Sequence, residues 1–396
     1  MRKTVLLYPA VRLTALLLSV CFLLTSVFPC ITYAGNSDNG PAITSPAAIL
    51  MEASTGQVIY EKDADTVLHP ASITKIMTLI LIFDALNSGK INLTDDVTVS
   101  EYAASMGGSH PGETQTVETM IKCISVASAN DACVAMAELI AGSEEGFVAK
   151  MNERAKGLGM NNTTFINCCG LDTDGHMSTA RDVALMSREL IVQYPQIHNY
   201  STIWMDTITH VTRKGESEFG LTNTNKLIKQ YQWATGLKTG STGLAKCCLS
   251  ATANKDGVEL IAVIMAAPDS KTRFSDAVTL LNYGYSVCDI YHDTEMPQLP
   301  NLSVSGGRCD TLSLSYAKEF STLFLEPVDT ASIEKQLTLP ETVTAPVNEG
   351  DVIGTLTYTL DGKTIGTVDI TAAQSVSSAT YGDALFKMFR KLTGAA

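Results

Sequence analysis

Apolar residues recur along this chain in two rhythms, and the places where the rhythm changes divide it into segments. Ile49-Leu50-Met51 and Val58-Ile59-Tyr60 are short runs separated by Ala53-Ser54-Thr55-Gly56, the pattern of a hairpin. From Ser72 to Leu86 the rhythm is helical: Ile73, Ile76, Met77, Ile80 and Phe83 fall at helical intervals and Gly89 ends the run. Further helical stretches are predicted at about 115–127, 131–141 and 178–193. Between Thr235 and Met265 the texture becomes strand-like, with Leu237-Lys238-Thr239, then Cys247 to Ala253, a turn at Asn254-Lys255-Asp256-Gly257, and Val258 to Met265. A helix from about Lys271 to Val287 closes the unit. Strands from both ends with helices between them predict an α+β domain over 45–293, an antiparallel sheet flanked by helices.

Near Met296-Pro297-Gln298-Leu299-Pro300 the texture shifts again, to short β-like runs with a hairpin turn at Asp361-Gly362. A second, all-β domain is expected over 296–375. After Asp383, the residues Leu385, Met388, Phe389 and Leu392 share one helical face, with Lys387, Arg390 and Lys391 beside them. A basic amphipathic segment over 383–394 suits a membrane surface, and the alternative is a terminal helix packed on its own domain.

The first 34 residues combine a basic start (Arg2, Lys3, later Arg12), an apolar run from Leu13 to Phe28 and a small-residue stop at Thr32-Tyr33-Ala34. This predicts a cleavable signal peptide over 1–34 and an exported, extracytoplasmic protein at the outer face of the cytoplasmic membrane. The run is short for a retained anchor helix, the alternative. Val20 and Pro29 are poor residues to precede a lipidated Cys21 or Cys30. Residues 35–47 are small and polar, a flexible lead-in.

Composition narrows the function. Across 396 residues the formal charge is −13, and no acidic residue lies before Gly35, so loss of Arg2, Lys3 and Arg12 with the leader makes it −16. Phosphate contacts need clustered Lys and Arg, so no nucleic-acid partner is expected. Eight of ten cysteines remain after the leader: Cys123, Cys133, Cys168, Cys169, Cys247, Cys248, Cys288 and Cys309. Export permits disulfides, but the chain is no small cysteine-dense scaffold, so buried thiols are expected with disulfides as the alternative. The doublets Cys168-Cys169 and Cys247-Cys248 lack the two-residue gap of zinc sites, and the six His form no paired ligand motif; no metal or cofactor is expected.

Ser-x-x-Lys with Ser-Asp-Asn and Lys-Thr-Gly form a known signature of penicillin-reactive enzymes. Each part is weak alone. Ser-x-x-Lys arises by chance about once or twice in a chain this long. Here it also occurs at Ser315-Tyr316-Ala317-Lys318 and Ser332-Ile333-Glu334-Lys335, while Ser37-Asp38-Asn39 sits upstream of every candidate nucleophile. Lys238-Thr239-Gly240 is the one Lys-Thr-Gly, and the order Ser72-Ile73-Thr74-Lys75, Ser128-Ala129-Asn130, Lys238 selects Ser72.

The chemistry explains why these residue types belong together. A serine hydroxyl is a poor nucleophile until a base removes its proton, and no His sits in a Gly-x-Ser-x-Gly setting. A lysine serves when burial and a second cation, here Lys238, disfavour its protonated form. Ser72 follows Pro70-Ala71 at a helix start, and Lys75 lies one turn on, on the same face. Ser128 and Asn130 fall between two helical stretches, where a hydroxyl and an amide can reach a cleft, and where Asn130 or Asp131 can cap the following helix. Lys238 to Gly240 lies on a strand where Gly240 permits close approach of a ligand backbone. Lys238 and Thr239 would hold a substrate carboxylate, with the N–H groups of Ser72 and Ser241 as oxyanion hole.

From about Ala47 to Ile290 the chain resembles the low-molecular-weight D-alanyl-D-alanine carboxypeptidases, peptidase family S11. The likeness extends to Ile49 to Lys62, Asn152 to Gly159, Thr164-Phe165-Ile166-Asn167 with Gly170-Leu171-Asp172, His176 to Asp182, Thr222 to Leu227, and Arg273-Phe274 with Asn282-Tyr283-Gly284. The resemblance implies a β-lactamase/transpeptidase-like fold followed by an all-β domain and an amphipathic tail. It implies that Ser72 attacks the penultimate D-Ala carbonyl of a peptidoglycan stem pentapeptide, that D-Ala leaves, and that water hydrolyses the acyl-enzyme. Lys75 is then general base, Ser128 and Asn130 relay and position, Lys238 anchors, and Arg273 helps hold the terminal carboxylate. β-Lactam antibiotics are the implied inhibitors. The departures are Ala129, Cys168-Cys169, and Cys247-Cys248 after Lys246; paired cysteines would make the site redox-sensitive.

Two rivals remain. A serine β-lactamase of the common class needs a Glu in a Glu-x-x-Leu-Asn segment, where this chain has Thr163-Thr164-Phe165-Ile166-Asn167. A non-catalytic penicillin- or wall-binding module would share the motifs, but every motif residue here is chemically competent.

Overall fold

In the computed structural model, which describes residues 40–212, 215–325, 328–383, Leu385 and Phe389, the apolar run at the start becomes a strand buried along its length. The main sheet contains β1 (Ala47–Glu52), β2 (Val58–Lys62), β3 (Ala234–Thr242), β4 (Lys246–Lys255) and β5 (Val258–Ala267). They pair antiparallel in the order β2-β1-β5-β4-β3, so the two ends of the domain meet where Ile49 faces Val263. Because side chains alternate across a strand, β1 and β5 feed two cores. Ile49, Met51, Ile261, Val263 and Met265 enter one; Ala48, Leu50, Leu260, Ala262 and Ile264 enter the other. Both faces are covered, so these strands read as continuous apolar runs.

The helices are α1 (Lys75–Asn87), α2 (Val117–Lys122), α3 (Asn130–Ala141), α4 (Glu144–Gly157), α5 (Ala180–Gln193) and α6 (Ser270–Val287). α6 covers one sheet face with Phe274, Ala277, Leu280 and Leu281; the opposite core contains α1, α3 and α5. Every residue of α1 from Lys75 to Phe83 is buried, Lys75 and Thr78 included. A helix apolar on nearly all sides belongs at the centre of a domain. Each buried Ile, Leu or Phe there contributes about 1.5–3 kcal/mol.

The α+β class expected from the pattern is the one found. Three local expectations change. The stretch at 115–127 is a strand at Thr114–Thr116, then α2, then a π turn at Cys123–Ala127. α4 was not anticipated, although Phe147, Met151 and Ala155 lie four apart and Ser143 caps it. The hairpin of Met205–Thr212 with Gly215–Thr222 was also missed, because its second strand is exposed at nearly every position and lacks alternation.

Beyond His292 the chain is built of short strands, the longest pair being Val352–Leu360 and Lys363–Ala372 about the predicted turn, where Asp361 (φ 50) and Gly362 (φ 74) are both left-handed. Leu356, Tyr358, Val368 and Ile370 form its core with Phe320, whose ring stacks on Tyr358 at 3.7 Å. The strand Asp289–His292 pairs with Ser321–Phe324, and Asp293 accepts from Lys335 Nζ (2.7 Å) and Tyr358 OH (2.7 Å).

The leader predicted at 1–34 and Ser37-Asp38-Asn39 lie outside the described residues, as does most of the helix predicted at 383–394. Among the described residues no helix is long and apolar enough to cross a membrane. All eight described cysteines are free thiols.

Candidate active site

Ser72 stands in a single 3-10 turn, Ala71–Thr74, that leads into α1; Ala71 before it is left-handed (φ 49). The turn is wedged between two glycines. A Cβ on Gly170, itself at φ +84, would lie 1.8 Å from the Ala71 carbonyl oxygen. One on Gly240 would lie 2.9 Å from the Pro70 oxygen and 3.0 Å from the Ile73 nitrogen. Gly240 therefore admits the backbone of the nucleophile's own turn.

Lys75 opens α1 and is fully buried. Its ammonium donates to Ser72 Oγ (2.9 Å), Asn130 Oδ1 (2.8 Å) and the Cys169 carbonyl (2.7 Å), using all three protons. Asn130 is thereby committed to the site. The capping expected of Asn130 or Asp131 does not occur: Ala129 occupies the cap without a side-chain bond, and Asp131 accepts from Ser109 N (2.8 Å) and Ala132 N (2.9 Å).

The π turn ends on Ser128 in the left-handed region (φ 61), its N–H bonded to the Cys123 carbonyl. A non-glycine residue there costs about 1–2 kcal/mol. In return, Ser128 Oγ accepts from Lys238 Nζ at 2.8 Å. Lys238 is 1 % exposed; burial first, then the charge on Lys75, pushes its ammonium well below the ordinary lysine range. Lys238 also donates to the Thr239 carbonyl (3.0 Å). Thr239 Oγ1 meets Thr224 Oγ1 at 2.6 Å, and Ser241, exposed at the end of β3, donates to the Lys246 carbonyl (3.0 Å). Arg273, on α6, donates from one guanidinium nitrogen to the carbonyls of Gly240 (3.0 Å) and Cys248 (3.2 Å), so this contact braces β3 and β4.

The remaining Ser-x-x-Lys matches lie elsewhere: Ser315 is on a strand of the C-terminal sheet, and Lys335 is tied to Asp293. Residues that sequence reasoning did not assign also serve the site. His176 Nδ1 accepts from Ile166 N (3.0 Å), so its Nε2 carries the proton donated to Thr74 Oγ1 (2.8 Å). Burial, and then the charge of His69, lowers its pKa to about 4. Thr224, Gly170 and the Cys169 carbonyl complete the surroundings; their partners are far away in sequence, so no local motif marks them. Cys169 is held well below the ordinary thiol range by the thiols of Cys133 and Cys168 directed at it, ahead of the positive charge of Lys75.

Two families of known proteins match this chain. Residues 34–269 match the family described as D-alanyl-D-alanine carboxypeptidase, peptidase S11, and residues 294–378 match the C-terminal domain of penicillin-binding protein 5. D-alanyl-D-alanine carboxypeptidase DacF of Bacillus subtilis (strain 168) is 40% identical over 340 residues, 85% of this chain and 86% of the relative. DacC of Escherichia coli (strain K12), of the same description, is 34% identical over 349 residues, 82% of each chain. The crystal structure of penicillin-binding protein 5 from Haemophilus influenzae superimposes with a TM-score of 0.71 at 28% identity, over 86% of this chain and all of that one.

Proposed function

The chain belongs to the serine D-alanyl-D-alanine carboxypeptidase family S11, and we propose that Ser72 is the residue acylated when it removes the terminal D-Ala from a peptidoglycan stem pentapeptide. One observation carries the assignment: each serine of the site faces its own buried lysine, Ser72 with Lys75 and Ser128 with Lys238. Lys75, in its neutral form, takes the Ser72 proton as Oγ bonds to the penultimate D-Ala carbonyl carbon. The N–H groups of Ser72 and Ser241 receive the oxyanion. As the C–N bond breaks, the proton taken by Lys75 passes through Ser128 to the leaving nitrogen, which returns Lys75 to its neutral form while Lys238 keeps its charge. Water then hydrolyses the ester with Lys75 as base.

Burial disfavours the charge on Lys238, and an incoming carboxylate compensates it, so the site selects a free C-terminus. Thr239 binds beside it; Asn130 orients Lys75; Arg273 braces Gly240 from behind and adds positive charge. A β-lactam ring takes the place of the scissile amide. Among the described residues no carboxylate bonds Ser72 or Lys75, which favours a long-lived penicillin adduct over β-lactamase turnover. Mass spectrometry of a penicillin-treated chain tests this: the adduct should map to Ser72, and Ser72→Ala should abolish both it and D-Ala release from a Lys-D-Ala-D-Ala peptide. Undiminished release from the variant overturns the assignment.

The same reading divides the protein into a catalytic domain at 45–293 and an all-β domain at 296–375, supported by their separate cores. It also exports the protein, through the segment at 1–34, to the outer face of the cytoplasmic membrane. Its support there is the basic, amphipathic pattern of 383–394, where Leu385 and Phe389 are exposed one turn apart. The full-length chain should float with anionic vesicles and the chain ending at Thr380 should not; equal flotation of both removes the membrane reading.

A further inference from the structure

The sequence spacing of the cysteines excludes the usual zinc patterns, but the fold assembles thiols and a carboxylate that are apart in the chain. Glu144, at the first position of α4, accepts from the backbone N–H of Cys168 through Oε1 (2.9 Å) and from Tyr102 OH through Oε2 (2.5 Å). The Sγ atoms of Cys168 and Cys169 are 3.6 Å apart, and these two and a Glu144 oxygen lie within 4.8 Å of one another. The thiol of Cys133, on the first turn of α3, lies outside this group and donates to the Ala129 carbonyl (3.2 Å).

Two thiolates on one tetrahedral ion, each bonded at about 2.3 Å, sit roughly 3.8 Å apart. The observed 3.6 Å is close to that. A disulfide between the same neighbours requires about 2.05 Å and a rearranged backbone. The backbone is not free to rearrange, because the Cys168 carbonyl accepts from Thr78 Oγ1 (2.7 Å) and the Cys169 carbonyl from Lys75 Nζ. Both thiols are fully buried, whereas Glu144 is half-buried and Tyr102 is 50 % exposed, so an approach exists from the Tyr102 side.

We propose that Glu144, Cys168 and Cys169 bind a soft divalent cation of the zinc class directly behind Lys75. Binding forms metal–sulfur bonds to the Cys169 thiolate and to Cys168, whose S–H proton leaves to solvent; no electron is transferred. The soft sulfur set rejects Mg²⁺ and Ca²⁺, which prefer all-oxygen sites. The ion would pin the two carbonyls that hold Thr78 and Lys75.

The test uses the full chain under reductant, carrying Cys247→Ser, Cys288→Ser and Cys309→Ser to remove the three thiols that are not fully buried. Titration with Cd²⁺, followed by the ultraviolet thiolate charge-transfer band, should saturate at one equivalent. Zn²⁺ should displace Cd²⁺ and raise the melting temperature, and excess Mg²⁺ should do neither. Cys168→Ser with Cys169→Ser should remove the band. Should that variant fail to fold, Glu144→Gln, near the surface, provides a second reading, with at least tenfold weaker binding expected. Absence of the band, a band unchanged in a folded double variant, undiminished affinity in Glu144→Gln, or isolation of Cys168 and Cys169 as a disulfide two hydrogens lighter overturns the proposal.

Discussion

A buried lysine needs three acceptors, and Lys75 takes them from the nucleophile's hydroxyl, a side chain 55 positions away and a carbonyl 94 positions away. Ser72 and Lys75 were legible because one helical turn joins them; Asn130 was legible as a motif member, but its release from capping was not. His176 shows the limit at this scale. Its two nitrogens link the 164–167 segment to Thr74, and nothing local announces that. The imidazole is held neutral, with a folded pKa of about 4 against an ordinary 6.5. A histidine with a depressed folded pKa contributes stability that is complete above 6.5 and is lost as pH falls from 6.5 towards 4, because the unfolded chain binds the proton first. The loss should reach about 3 kcal/mol. Urea unfolding at pH 7 and pH 4.5 measures it, and His176→Gln should remove most of the difference.

At the scale of elements, what positions chemistry here is close packing between segments that carry no motif. Gly170 enters the family likeness merely as part of a segment, yet it allows the Ser72 turn to exist where it does. Gly170→Ala combines a positive φ with a Cβ 1.8 Å from a carbonyl oxygen. It should lose at least about 1–3 kcal/mol and displace the turn, cutting penicillin acylation more than tenfold. Gly243→Ala, whose Cβ would meet only the Asp172 carboxylate at 3.9 Å, is the control and should acylate normally. Strands buried on both faces and the α1 run were readable from the sequence, since apolar content alone demands their burial. α4 and the 205–222 hairpin were not, because most of their residues face water.

At the scale of the molecule, one buried carboxylate joins the last strands of the catalytic part to the C-terminal sheet. Asp293 binds Lys335 and Tyr358, and Tyr358 is the stacked centre of the second core. Asp293→Ala would strand the buried Tyr358 phenol and release the Lys335 ammonium to solvent, costing about 1–3 kcal/mol. Calorimetry should show a C-terminal transition moved to lower temperature with the penicillin-binding part unchanged; a single unshifted transition would refute this coupling. Lys335 comes from one of the discarded Ser-x-x-Lys matches, so a failed catalytic motif supplies a structural residue.

Sequence alone determined the alternation of strand and helix, the change of texture near 296, the family likeness and the choice of Ser72 from three Ser-x-x-Lys matches. Those features follow from local periodicity and from motif order, both written along the chain. The tertiary structure alone decided that Gly240 and Gly170 clasp the Ser72 turn, that Lys238 faces Ser128, that Arg273 braces the strand, and that Cys168, Cys169 and Glu144 converge. Each of these depends on a contact between residues distant in sequence, and such contacts exist only once two cores have closed on the faces of one sheet.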